Sequence, residues 1–94
     1  MELTFTQTNK KSWVAEFEAS SDFNIHIERE ETGSIKMSQR TAPQGEPAEV
    51  DEFSDKRLDG KKVIDYDCRA LVYPKSIRIV SEVKPKYAEV TFAE

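Results

Sequence analysis

The chain has 94 residues, one cysteine and a net charge of −4, and 37% of its residues are hydrophobic. This length predicts a single domain over residues 1–94, and a lone cysteine excludes an internal disulfide. The acidic balance disfavours a nucleic-acid binder, whose phosphate contacts call for a basic excess, and no apolar run approaches the roughly 18 residues of a membrane span.

Alternation of apolar and polar residues dominates the first forty positions and predicts strands with one buried face. The alternating apolar positions begin with Leu3 and Phe5 and continue through residues 13–19, 23–27 and 35–37. Turn-like residues at 8–11 and 20–22 separate these runs. Glu31-Thr32-Gly33 predicts a tight hairpin in which Gly33 is available for positive φ.

The middle of the chain lacks this alternation. The two prolines of Thr41–Pro47 have no N–H and cannot continue a strand ladder. Residues 48–58 fit either a short helical turn or an irregular strand, and Asp59-Gly60 indicates a further turn. We expect residues 41–61 to form a loop that is long for so small a domain, and such loops are often functional or disordered.

The alternation resumes after residue 62 with Ile64, Tyr66, Cys68 and Ala70 on one face and Val63, Asp65, Asp67 and Arg69 on the other. Leu71 and Tyr73 break the phase, which predicts a bulge or a stretch buried on both faces. Strands around 77–80 and 88–92 follow. About seven strands in all predict an all-β, antiparallel two-sheet sandwich or a small barrel. The predicted core comprises Leu3, Phe5, Trp13, Phe17, Phe23, Ile25, Ile27, Ile35, Met37, Ile64, Tyr66, Ile77, Ile79, Val90 and Phe92.

Few residues suggest chemistry. His26 is the only histidine and Cys68 the only cysteine, so a His/Cys zinc site cannot form within one chain. The phase of its strand places His26 on the polar face. A solvated strand histidine is the main interpretation, and a pH-sensing or intersubunit role is the alternative. Cys68 shares a face with apolar residues and is interpreted as a small buried hydrophobe, not as a nucleophile. We therefore predict a non-enzymatic protein with no cofactor.

Asp65 and Asp67 lie two residues apart, so a strand places both carboxylates on one face, together with Arg69. The main interpretation is an ion network on the strand surface, and a carboxylate metal site or an acid/base pair is the alternative. Asp51, Asp55 and Asp59 add acids, but their spacing does not match a calcium-binding EF-hand loop.

The aromatic residues offer a second kind of site. Trp13 is in phase with core residues, whereas Tyr73 and Tyr87 flank turns, where an amphipathic ring tolerates partial exposure. Tyr73 and Tyr87 are therefore the predicted ligand-binding residues, with a carbohydrate at a sheet edge as the ligand class. The basic cluster of Lys56, Arg57, Lys61 and Lys62 is interpreted as a solubilising surface.

The run from Trp13 to Gln39 combines an aromatic-rich strand, the segment 22–28, the Gly33 turn and Ile35-Lys36-Met37. In this arrangement it resembles small uncharacterised β-sandwich proteins of gut bacteria and their phages. The resemblance implies a structural or accessory role and identifies no functional residue.

The charge distribution favours a protein partner or self-association. Residues 1–55 carry a net charge of −7 and residues 56–86 a net charge of +5, an asymmetry that can steer a complementary surface. Sandwich edge strands also invite pairing with another chain. We expect a structural or protein–protein interaction domain within a larger assembly, with a carbohydrate-binding module and a metal-binding domain as alternatives. No signal sequence is visible, so a cytoplasmic or virion-associated location is expected.

Overall fold

A computed structural model describes residues 1–42, 44–50, 56–70 and 72–93 of the chain. These residues form two antiparallel sheets packed face to face, which confirms the predicted all-β sandwich and rules out the closed barrel. The strands are eight, one more than predicted, because residues 48–49 add a short one. They are β1 (Thr6–Asn9), β2 (Ser12–Ala19), β3 (Phe23–Glu28), β4 (Ile35–Arg40), β5 (Ala48–Glu49), β6 (Val63–Cys68), β7 (Lys75–Ser81) and β8 (Tyr87–Phe92), with one helical turn, α1 (Lys56–Asp59), before β6.

The larger sheet has the order β1-β2-β7-β4-β5 and the smaller sheet the order β6-β3-β8. Period-two alternation turns one face of each sheet inward, and the residues predicted for the core lie there. Trp13, Phe17, Tyr66 and Phe92 are only partly buried, but each packs against the core. Phe17 and Phe23 meet edge-to-face with ring centroids 5.2 Å apart, which joins the two sheets.

The predicted hairpin at Glu31-Thr32-Gly33 is wrong, because β3 and β4 belong to different sheets. The connection is an arch between the sheets, held where the Gly33 N–H donates to the Asp59 carbonyl at 3.0 Å. Gly33 does not adopt positive φ. Its small size matters instead, since a Cβ there would lie 3.0 Å from Val83 Cγ2 and 3.1 Å from Glu82 Oε1.

Three further segments differ from the prediction. Leu3 and Phe5 are buried as expected, but the first strand of the large sheet begins after them, and Met1–Leu3 runs beside β8 instead. Residues 48–58 contain both predicted alternatives, the strand β5 and the turn α1, while residues 51–55, with Asp51 and Asp55, lie outside the described residues.

β6 ends at Cys68, before the predicted phase break, and the bulge or doubly buried stretch predicted at Leu71 and Tyr73 falls partly outside the described residues. Residues 69–70 and 72–74 belong to the connection to β7, which includes the cis bond between Tyr73 and Pro74; Leu71 lies outside the described residues. The described part of the chain contains no helix with the length and apolar content that a membrane crossing requires.

Candidate functional site

The four edges of the sandwich differ in how open they are to another chain. β5 is only two residues long, and β1 has an irregular register between Gln7 and Asn9. Short edge strands and bulges both discourage pairing. The edge of β8 is covered by the chain's own start, since the Leu3 N–H donates to the Ala88 carbonyl at 2.9 Å and the Val90 N–H to the Met1 carbonyl at 2.8 Å. Within the described ranges, β6 is therefore the one edge strand of six residues that is regular and has no neighbour along its whole outer side, although the pairing of β1 with β2 also ends at Val14.

The hydrogen-bonding direction of β6 follows from the register of its ladder with β3. The Arg29 N–H donates to the Lys62 carbonyl at 2.7 Å, and in an antiparallel pair the residues that exchange such bonds alternate along the strand. The backbone groups of Ile64, Tyr66 and Cys68 therefore point to β3. Those of the alternate residues point outward, toward the open edge: Val63, Asp65 and Asp67.

The same three residues present their side chains on the outer face of the smaller sheet, which we call the acidic face. In addition to the β6 positions, it comprises alternate residues of β3 and β8 in direct register. Its acids are Glu28, Asp65, Asp67 and Glu89, and its other members are Asn24, His26, Val63, Tyr87 and Thr91. This set includes Asp65 and Asp67, the pair that the sequence placed on one face.

His26 lies at the centre of the acidic face, between two carboxylates. Its Nε2 is 2.8 Å from Glu28 Oε2 and its Nδ1 is 3.0 Å from Asp65 Oδ2. Asn24 donates from Nδ2 to Asp65 at 2.6 Å and to Asp67 at 2.8 Å. The Tyr87 hydroxyl donates to Glu89 within β8, so the side-chain hydrogen bonds of the face cross between β3 and β6 and also run along β8.

These contacts change the ionisation of the face. The hydrogen bonds to Glu28, first, and to Asp65 raise the pKa of His26 above 6.5. The Asn24 amide, followed by His26, lowers the pKa of Asp65 below 3.8. Asp65 therefore stays ionised near neutral pH, and the imidazolium form of His26 is the one that can donate to both carboxylates.

A pH dependence of stability follows for His26. Because the pKa of His26 is higher in the folded than in the unfolded protein, protonation of His26 stabilises the fold. This contribution is fully present below pH 6.5 and is lost as the pH rises through the pKa of the folded protein. We expect the free energy of unfolding to fall between about pH 6 and about pH 8, the range in which histidine titrates. Urea titrations of wild type and His26→Gln measure this, and an equal slope in both proteins would contradict it.

Arg29 holds the start of β6 in place, a role that the sequence analysis missed. Its side chain is 1% exposed, and among the described residues its terminal nitrogens donate to backbone carbonyls. Nη1 reaches Gly33 at 2.8 Å, and Nη2 reaches Lys61 at 2.5 Å, Leu58 at 3.2 Å and Asp59 at 3.4 Å. Arg29 thereby ties the arch after β3 to the segment that enters β6. The alternation contained a signal for this burial that the predicted core did not use, since residue 29 continues the inward series 23, 25, 27.

A second polar cluster lies at the other end of the smaller sheet. Asp22 accepts from the Tyr73 hydroxyl at 2.6 Å and from the Ala70 N–H at 3.2 Å. The buried Lys75 donates from Nζ to Gln39 Oε1 at 2.9 Å and lies 3.7 Å from Cys68 Sγ. Cys68 is buried, as predicted. Like Arg29, Lys75 is a charged residue at an inward position of the alternation, in phase with the buried Ile77 and Ile79.

The environment of Tyr73 predicts that its hydroxyl ionises at a higher pH than that of an ordinary tyrosine. Burial, and then the hydrogen bond to Asp22, raises its pKa to about 12. The neutral phenol therefore contributes stability that is present below pH 10 and is lost as the pH rises through about 12. A spectrophotometric tyrosine titration should show one phenol ionising at this high pH, and the step should be missing in Tyr73→Phe. An unchanged titration curve in that variant would assign the step elsewhere.

The structure does not bring Tyr73 and Tyr87 together. Tyr73 bonds to Asp22 just before β3, whereas Tyr87 pairs with Glu28 at the far end of that strand. Carbohydrate binding remains a prediction, and the two rings would have to bind the ligand on separate surfaces. Tyr87, on the acidic face, is the more exposed of the two. Lys61 and Lys62 are exposed, as a solubilising cluster requires, and the side chains of Lys56 and Arg57 lie outside the description.

The remaining predicted sites lie on the core and on the acidic face. Trp13 packs on the core, and Lys84 Nζ lies 5.2 Å from its ring centroid. Asp65 and Asp67 are bridged by the Asn24 amide, and the described residues contain no group of three or more His, Cys, Asp or Glu side chains arranged to hold a metal ion. Metal binding by the two aspartates remains an alternative hypothesis. Comparison with protein-family models, curated proteins and solved structures found no match to this chain.

Proposed function

We propose that this domain is a non-enzymatic protein-interaction module that binds a basic partner through the acidic face. The observation that carries the proposal is the exposure of apolar side chains directly beside the carboxylates. Val63 is 58% exposed and Tyr87 38% exposed, and both stand in register with Glu28. Exposed aromatic and aliphatic groups next to charges are typical of contact surfaces, where apolar burial supplies affinity and charge supplies direction.

The hydrogen bonds of the face support a binding role because they hold its carboxylates before any partner arrives. Asp65 accepts from both Asn24 and His26, and Asp67 accepts from Asn24. A carboxylate that is already oriented loses less side-chain entropy on binding than a mobile one. The lowered pKa of Asp65 keeps its charge available over the physiological range.

The opposite outer face provides a contrast. On the larger sheet, acids and bases are paired, with Arg78 Nε 3.5 Å from Glu16 Oε1 and Lys36 Nζ 3.8 Å from Glu49 Oε1. The acidic face has four carboxylates, and the positive groups that pair with them are His26, with Glu28 and Asp65, and the Met1 ammonium, whose nitrogen lies 3.9 Å from Glu89 Oε1. Two copies that met through this face would bring like charges together, which is costly. The proposal therefore favours a foreign, basic partner at this face, while self-association through another surface stays a separate prediction.

Site-directed photocrosslinking in cells that express the protein tests the proposed function. A benzophenone side chain at Tyr87 should yield one discrete adduct, and the same probe at Arg78 on the larger sheet should not. The adduct should disappear when Asp65 and Asp67 are both changed to Asn, because the partner then loses its charge contacts. Adducts that form equally from both positions, or that survive the double change, would contradict binding through the acidic face.

Light scattering after size exclusion at low and high salt tests the self-association alternative. If copies of the chain assemble through complementary charges, the molar mass falls as salt screens them. A monomeric mass at every salt and protein concentration would leave the foreign partner as the remaining interpretation.

A further inference from the structure

We infer that the partner is an extended segment that adds to β6 as a new antiparallel strand, with basic residues at alternate positions opposite Asp67 and Asp65. This inference rests on the proposed function and names the partner of the same surface. It also uses a feature that the acidic face alone does not supply, the outward-pointing backbone groups of Val63, Asp65 and Asp67.

The backbone of β6 presents hydrogen-bonding groups to the open edge of the smaller sheet. Three residues direct their N–H and C=O groups away from β3, and among the described residues no strand pairs with them. An added strand satisfies these groups through main-chain hydrogen bonds, which is how sheet edges capture extended peptides. β8, on the other side of the sheet, already shows this arrangement within the chain, since Met1–Leu3 bonds to its outer edge.

The side chains of β6 determine which residue types an added strand should carry at each position. Residues of the added strand that pair with Asp67 and Asp65 lie on the acidic face, so Lys or Arg at these two positions faces a carboxylate directly. The next alternate residue meets exposed Val63 and should be apolar. The intervening residues lie on the inner side of the sheet, beside Tyr66 and Ile64, and should also be apolar. Read from its N-terminus, the segment is basic–apolar–basic–apolar–apolar.

The same pattern disfavours a second copy of β6 as the occupant. In the antiparallel register of full overlap, Asp65 lies opposite Asp65 of the other copy, and a shift by two residues places Asp65 opposite Asp67. Like charges directly opposite each other are destabilising in a sheet. Charge thus protects this edge from self-pairing and leaves it open to a strand of the opposite sign.

The test uses a fluorescent peptide containing Lys-Val-Lys-Val-Val, with binding to the whole protein followed by anisotropy. A Glu-Val-Glu-Val-Val peptide should not bind. Changing Asp65 and Asp67 to Asn should weaken binding of the lysine peptide about twofold to fivefold for each lost pair. Glu16→Gln with Glu18→Gln is the matched control, since these acids are also two residues apart but lie on the outer face of the larger sheet, on β2, where Glu16 pairs with Arg78 of the neighbouring strand β7. This control should leave the affinity unchanged.

N-methylation of the peptide backbone separates strand addition from simple charge attraction. A methyl group on the nitrogen of the second lysine blocks a hydrogen bond to β6 and should weaken binding about tenfold, whereas one on the first valine points away from β6 and should have little effect. Equal binding of the two methylated peptides would overturn strand addition while leaving the acidic face as a binding surface. Absence of binding by the unmethylated lysine peptide, or equal weakening by the Glu16 and Glu18 changes, would overturn the inference as well.

Discussion

Replacing Arg29 with methionine should lower the free energy of unfolding by about 3 kcal/mol or more. The guanidinium is buried and donates to the carbonyls of Gly33, Leu58, Asp59 and Lys61. Methionine fills much of the same volume but donates nothing, so the carbonyls of Gly33 and Lys61 lose the guanidinium donor, while those of Leu58 and Asp59 keep the N–H groups of Lys61 and Gly33. Each buried polar group left unsatisfied costs about 1–3 kcal/mol. Urea denaturation of the purified variant measures the loss.

Arg78→Met is the matched control for this prediction. Arg78 is exposed on β7, and its ion pair with Glu16 is at the surface, where such pairs contribute about 0–1 kcal/mol. Arg29→Lys should fall between the two extremes, since one ammonium group can reach some but not all of the four carbonyls. If Arg29→Met were no more destabilising than Arg78→Met, Arg29 would not hold the start of β6 in place.

Ile64→Ala should lower the free energy of unfolding by about 3 kcal/mol, the middle of the range for large-to-small changes in a protein core. Ile64 is 1% exposed on the inner face of β6 and belongs to the core cluster. Removing three carbon atoms there forfeits their transfer from water and leaves a cavity that the surrounding side chains and the two sheets can close only in part. Thermal or urea unfolding gives the difference from wild type.

The adjacent residue supplies the control. Val63→Ala removes apolar atoms from the outer side of the same strand and should change stability by no more than about 0.5 kcal/mol, as is usual for exposed sites. The two variants together test the register of β6, because a shift by one residue would exchange the faces. Similar losses in Ile64→Ala and Val63→Ala would show that the strand does not present Asp65 and Asp67 outward.

Alternation in the sequence predicted which face each strand buries. On β6 it placed Ile64 and Cys68 inward and Asp65 and Asp67 outward, as the structure has them. The reason is physical: the pleat of a strand alternates its side chains, and the apolar set has to leave water. Arg29 and Lys75 also occupy inward positions of this alternation, but the predicted core omits them because they are charged.

The pairing of strands was not predictable from alternation, because a period of two defines the faces of a strand but not its neighbours. The turn at 31–33 looked like a hairpin, yet β3 and β4 lie in different sheets. The contacts that decide this, such as Gly33 with Asp59, join residues far apart in the chain. For the same reason the sequence could place Asp65 and Asp67 together but could not bring His26 and Asn24 to them.

Backbone amide hydrogen exchange along β6, followed by NMR in the free protein, tests the open edge most directly. The amides of Ile64, Tyr66 and Cys68 donate to β3 and should exchange slowly, whereas those of Val63, Asp65 and Asp67 point to the open edge and should exchange quickly. This alternation is the result expected for a strand that is free to accept a partner. Uniformly slow exchange from residue 63 to residue 68 would show that the edge is already paired or covered, and would contradict the proposed mode of binding.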